Sequence, residues 1–273
     1  MRVLCSFPGR AGDLLWALPT IRAVAEHFKA PVDLLIAGEF AGMIPLLTQQ
    51  VYLGAVHADP AWTLTPPADW NPPEVVVEYA GEYDRTYHLG YRGWPAKPLP
   101  FETQDTLACV WNLEDGAIPE IDLGRAWITS TPWSQVPHRL CIGWSDCWFE
   151  LKVGLLTLLG QPQWDAAYTG FLLPPAGSRW VTEMPYEPVG WLEAAQRIAA
   201  AEVFLGDCSA LHVLAVALGK PVLLVEPMEA RHNDIFYPLG KTGRVRLLTG
   251  NDGLPTHDAR HCADALKEML DAT

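Results

Sequence analysis

Within residues 200–225 an apolar strand, a tight polar turn, an apolar helix, a glycine and a second apolar strand follow in immediate succession. Strands joined through a helix run parallel, because the helix must cross back over the sheet. The segment therefore commits its part of the chain to an α/β class, with a strand at Glu202–Leu205, a helix at Ser209–Leu218 and a strand at Pro221–Val225. Gly219 is the helix stop.

The same rhythm opens the chain. Arg2–Phe7 reads as a buried strand, Pro8–Gly12 as a turn, and Leu14, Leu18, Ile21, Ala25 and Phe28 as one helical face reaching to His27–Lys29, with a kink expected at Pro19. A strand at Val32–Ala37, a helix at Phe40–Gln50 and a strand at Val51–Val56 continue the pattern. From Pro60 to Pro100 it breaks, with eight prolines and tryptophans at 62, 70 and 94 around short strands at Val75–Tyr79 and Arg85–Leu89. Aromatic rings of this kind stack on the apolar faces of sugars or bases, so this stretch is a candidate acceptor-binding face, the alternative being rings that simply anchor the loop. A helix at Thr106–Leu113 and a linker at Ile128–Pro137 close the front half.

Beyond the linker the expected elements are a strand at Arg139–Gly143, a helix near Glu150–Leu159, a strand around Arg179–Met184, a helix at Gly190–Ala201, the segment above, a strand at Arg244–Leu248 and a helix at Asp258–Asp271. Two doubly wound, Rossmann-like domains follow, 1–135 and 136–273, with the last helix a candidate to pack back on the first. A chain of 273 residues, 49% apolar, has material for two cores.

No apolar run approaches the roughly 20 residues of a membrane span, and no secretory signal opens the chain. Six cysteines without a C-x-x-C pair fit reduced, buried thiols. A cytoplasmic protein is expected. The net charge of −13 opposes unaided binding to nucleic acid or anionic lipid, so an anionic ligand must be met by local devices.

The turn Asp207-Cys208-Ser209-Ala210-Leu211-His212 is such a device. The first N–H groups of a helix lack intrahelical acceptors and, with the helix dipole, bind anions without a lysine. A diphosphate is the expected ligand, with His212 reaching it from the first turn. The plainer reading is a capped core helix with a satisfied histidine.

This turn, with Gly219-Lys220-Pro221 after it, resembles the donor-site signature of glycosyltransferase family 9, the ADP-heptose:lipopolysaccharide heptosyltransferases, which runs Asp-Ser/Thr-Gly-x-x-His before an Ala-rich helix and a Gly-x-Pro strand entry. Cys208 stands where the family has Ser/Thr, and Ser209 where it has Gly. Residues Gly12-Asp13-Leu14-Leu15-Trp16-Ala17-Leu18-Pro19 are similar to the family's opening motif, and Tyr83–Leu89 occupies the place of a family strand.

The resemblance implies the GT-B architecture, two Rossmann-like domains facing a central cleft, and an inverting, metal-independent transfer of sugar from a nucleoside-diphosphate sugar to an acceptor hydroxyl. It places the general base on Asp13, whose charge a helix N-terminus stabilises. Simple N-capping is the plainer role for that residue. Donor contacts fall on Gly12 and on Asp207 through His212, and the family's lysine has Lys152 as its candidate. Residues Glu226 and Arg231, in a polar loop beyond the strand ending at Val225, are candidates for ribose hydroxyls and a phosphate, against the plainer reading of a solvated loop of mixed charge. No cofactor is required beyond the nucleotide-sugar co-substrate. The acceptor is a saccharide or another hydroxyl-bearing molecule, a modified nucleobase included. A sugar-nucleotide epimerase and a degenerate sugar-nucleotide-binding module are the alternatives. His257 and His261 have metal-ligand spacing, yet no third ligand is evident.

Overall fold

Strands that are apolar on both faces can be buried only where helices cover both sides of their sheet. The computed structural model follows this rule twice. It describes residues 1–7, 10–62, 74–91, 108–111, 123–132, 138–143, 166–169, 190–207, 209–225, 242–252, 254 and 256–273. The chain divides into two compact units, Met1–Thr129 with Asp234–Lys241, and Ser130–Asn233 with Thr242–Thr273.

The first unit carries β1 (Val3–Ser6), β2 (Val32–Ala37), β3 (Leu53–Asp59), β4 (Arg85–Tyr91) and β5 (Ala108–Trp111), ordered β3-β2-β1-β4-β5. All pairings are parallel except β4 with β5. Helix α1 (Ala11–Phe28) follows β1 and buries an unbroken run from Leu14 to Ala25. It starts before the expected boundary, so Gly12 belongs to its first turn with Asp13 rather than to the preceding turn. Lys29 ends it at φ 53°, a left-handed cap, where the N–H groups of Lys29 and Ala30 reach back to the carbonyls of Glu26 and Ala25.

Pro19 lies inside α1 and has no N–H for the carbonyl of Leu15. The indole N–H of Trp127 donates to that carbonyl at 2.9 Å, and the rings of Trp127 and Trp16 lie 5.4 Å apart. A residue 112 positions away in sequence thus supplies the missing donor, which lets the helix continue past the proline.

Several expected elements differ. The span Phe40–Gln50 resolves into a 3₁₀ turn, Gly38–Met43, and a short helix, α2 (Ile44–Leu47). The strand expected at Val75–Tyr79 is a helix, α3 (Glu74–Ala80), in which Val76 is buried and Val77 is 57% exposed. The connection between β3 and β4 must cross the sheet because both strands run parallel to β1's direction, and a helix with Val75, Val76 and Tyr79 against Leu4, Leu35 and Trp62 does so. Local β-branched composition yields to that requirement. The helix expected at Thr106–Leu113 contains β5 instead, which pairs antiparallel with β4 through Leu89 and Val110. Pairing along a sheet edge is a non-local gain that helical periodicity does not register.

The second unit carries β6 (His138–Gly143), β7 (Ala166–Thr169), β8 (Ala201–Asp207), β9 (Val222–Val225) and β10 (Val245–Leu247), all parallel, ordered β10-β9-β8-β6-β7. Strand β7 falls between the helix expected near 150–159 and the strand expected around 179–184, where no element was expected. Helices α4 (Trp191–Ala199), α5 (Ala210–Ala217) and α6 (Ala259–Asp271) complete the described part. Alternate residues Leu140, Ile142, Val203, Leu205, Leu223 and Val225 pack with Cys262, Ala265, Leu266 and Leu270 of α6, so the closing helix buries its apolar face in this unit's core. The intervening Cys141, Phe204 and Leu224 are equally buried, so the opposite face is covered too. The expected helix at 150–159 and strand at 179–184 lie outside the described residues.

Candidate functional site

An open α/β sheet binds ligands beyond the carboxyl ends of its strands, where the strand order reverses. In the first unit the order reverses between β1 and β4, and in the second between β6 and β8. Each reversal point carries one of the two turns singled out in the sequence.

In the first unit, β1 ends at Ser6 and α1 begins at Ala11. Asp13 is half-buried in the first helical turn, and its Oδ2 accepts the backbone N–H of Arg10 at 3.2 Å. It therefore caps its own helix. In the sheet, Ser6 at the carboxyl end of β1 is the register partner of His88 in the middle of β4. Ser6 Oγ and His88 Nδ1 share a hydrogen bond of 2.7 Å, and both residues are buried. Burial lowers the His88 pKa to about 4, so the ring is neutral near pH 7. The Trp62 ring lies 6.2 Å from it, and the Trp62 indole N–H is buried without a hydrogen-bond partner among the described residues.

The sequence reading missed Ser6 and His88. Each occupies a strand position that looks like ordinary core, and only the register of two strands 82 residues apart brings them together. A histidine in the middle of a strand was the one available signal.

In the second unit, β8 ends at Asp207, Ser209 is the helix N-cap, and α5 presents His212 in its first turn. His212 is buried, and its Nδ1 accepts the backbone N–H of Ser209 at 3.0 Å. Burial lowers its pKa to about 4. The neutral ring accepts at Nδ1, so its proton sits on Nε2, which has no partner among the described residues. Asp207 and Leu211 are buried, while Ser209 and Ala210 are half-buried. Gly143, at the end of β6, lies where an added Cβ would come 2.5 Å from the Phe204 ring, so only glycine lets this ring fill the space beside the turn.

Cys208, Glu226, Arg231 and Lys152 lie outside the described residues. His257 and His261 stand near the start of α6, where His261 sits 3.2 Å from the Asp258 carboxylate and 3.3 Å from the Asn251 side chain. Among the described residues no group of three His, Cys, Asp or Glu is placed to hold a metal, and no helix is long and apolar enough to cross a membrane.

No family model matches the chain, and no curated protein matches it in sequence. Solved structures do match. A glycosyl transferase family 9 protein from Veillonella parvula aligns over 100% of this chain and 98% of its own, with 9% identity and a TM-score of 0.64. The E. coli ADP-heptose lps heptosyltransferase II aligns over 100% and 99%, with 13% identity and a TM-score of 0.63. The fold is heptosyltransferase-like GT-B. A putative UDP-N-acetylglucosamine 2-epimerase from Listeria monocytogenes shares this fold at 10% identity, 99% and 89% coverage and a TM-score of 0.51.

Proposed function

We propose that the chain is an inverting, metal-independent glycosyltransferase that moves a sugar from a nucleoside-diphosphate sugar to an acceptor hydroxyl. The observation that carries this reading is the His212 Nε2–H, a buried donor without a partner among the described residues, in the first turn of a helix beyond a reversal-point strand. A buried donor is costly to leave unpaired, and a diphosphate oxygen is the acceptor that a helix N-terminus favours at this place. Because the ring is neutral, it stabilises the leaving diphosphate by hydrogen bonding rather than by ion pairing.

Asp13 is the proposed general base. Its carboxylate has two oxygens, and holding the Arg10 N–H fixes the group's orientation at the helix start. The acceptor oxygen would attack the anomeric carbon as its proton passes to Asp13, while the bond from that carbon to the diphosphate breaks. Asp207, Ser209, Ala210 and Leu211 line the donor turn in this reading, with Gly12 beside Asp13. Cys208, Glu226, Arg231 and Lys152 are further donor contacts within the same proposal.

The test is a thermal-shift screen across ADP-, UDP-, GDP- and dTDP-sugars. A donor at about 100 times its Kd adds roughly 2.7 kcal/mol of stability, and no shift with any of the four would sink the reading. Asp13→Ala should keep that shift and lose transfer. The structural likeness to a 2-epimerase supplies the second reading. Incubating the bound nucleotide-sugar without acceptor separates the two, because an epimerase would accumulate a sugar inverted at one ring carbon.

A further inference from the structure

We propose that the first unit holds a second anion site, at the amino end of its sheet, which takes a small organic phosphate. A surface pocket of about 330 Å³ opens there between the last turn of α1, the chain entering β2, the chain entering β3, and residues 125–129. A helical rise of about 1.5 Å per residue puts Glu26, on its wall, about 20 Å along α1 from Asp13. The pocket is therefore distinct from the turn at which the general base is placed.

Its lining has a charge pattern unlike the chain as a whole. The protein carries a net −13, yet the pocket walls contribute Arg22, Lys29 and Arg125 against one carboxylate, Glu26. Arg22 is a built part of the wall: its side chain is 9% exposed, it donates to the carbonyl of Ala126 at 2.9 Å, and it lies 3.7 Å from Glu26. Arg125 reaches the same carboxylate at 3.8 Å. Two cations sharing one anion, with Lys29 beside them, leave a surplus of positive charge in a concavity, where the field is concentrated. Ala25, Pro31 and Val51 give the pocket an apolar share that bare phosphate would not use. An organic phosphate uses both.

The floor is rigid. Gln50 is buried, accepts the Thr129 N–H at 2.8 Å and donates to the Thr129 carbonyl at 3.1 Å. Tyr52 donates to the Trp127 carbonyl at 2.7 Å. These bonds preorganise the wall that carries Arg125, so binding need not order it.

The experiment is isothermal titration of the full-length protein with AMP and, separately, with inorganic phosphate. The expected result is saturable binding of AMP with a component that Lys29→Gln with Arg125→Gln weakens about tenfold or more, separate from any component that His212→Ala removes at the proposed donor turn. Tighter binding of AMP than of inorganic phosphate supports the organic phosphate, whereas equal affinity shows that the apolar wall takes no part and overturns that assignment. No saturable binding of either probe overturns the proposal, as does binding that the double variant leaves intact. Hydrogen exchange of the unmodified protein gives a readout independent of the variants' folding: AMP should slow exchange across residues 123–129, and unchanged exchange there overturns the proposal. A donor screen that fails while this binding persists would sink the transferase reading alone.

Discussion

The two reversal points are built alike and charged differently. In each, the third residue of a helix turns back to accept the N–H of its own N-cap residue: Asp13 from Arg10 at 3.2 Å, His212 from Ser209 at 3.0 Å. In the first unit the acceptor is a half-buried carboxylate; in the second it is a buried, neutral imidazole. The capping problem is the same, since the first N–H groups of a helix need partners. What differs is the charge left at the helix tip. A carboxylate there repels a diphosphate and suits a proton acceptor, whereas an uncharged ring leaves the dipole and the free N–H groups to an anion.

That comparison can be broken most directly at Asp13. Asp13→Asn keeps a capping oxygen and removes the proposed base, so on that proposal transfer should fall by roughly 10²- to 10⁴-fold while the donor's thermal shift stays the same; undiminished turnover would end the assignment. Exchanging the chemistry of the second site is the next largest test. His212→Asp installs the first unit's cap at the proposed diphosphate turn, and if the donor binds there like-charge repulsion should weaken its binding by about 100-fold. An unchanged donor affinity, measured with a variant whose melting curve is intact, would show that this turn does not hold the diphosphate.

Acidity probes what the two sites share. His88 and His212 both have folded pKa values near 4, below the ordinary 6.5. A depressed histidine pKa means that the unfolded chain binds protons first as pH falls. Stability is therefore complete above about pH 6.5 and is lost from there down through pH 4, by up to about 3 kcal/mol for each ring. Replacing either histidine by Phe should flatten that limb of the stability-versus-pH profile, measured by urea unfolding at each pH, by its own share. A limb of unchanged steepness in both variants would place the titration elsewhere.

The smallest expected effect concerns what holds the first site in place. Trp127→Phe keeps most of the ring and removes the donor to Leu15, leaving a buried carbonyl unpaired beside Pro19. A loss of about 1–3 kcal/mol in chemical denaturation is expected, together with weaker transfer if α1 must be rigid for Asp13 to work. An unaltered stability would mean that the proline break is compensated otherwise.

The sequence by itself determined the α/β class, most strand positions and both turns, because those rest on local signals: apolar runs of strand length, helical spacing, a glycine stop, and capping residues between strand and helix. Strand β2 falls at Val32–Ala37, the expected span, for that reason. Tertiary structure alone decided that Val75–Tyr79 is helical, that Ala108–Trp111 pairs as an edge strand, that Ser6 meets His88, and that Trp127 repairs the gap at Pro19. Each of these depends on residues brought together from afar. The free energy of such a meeting comes from burial and from hydrogen bonds satisfied away from water, and neither leaves a trace in the composition of the short segment concerned.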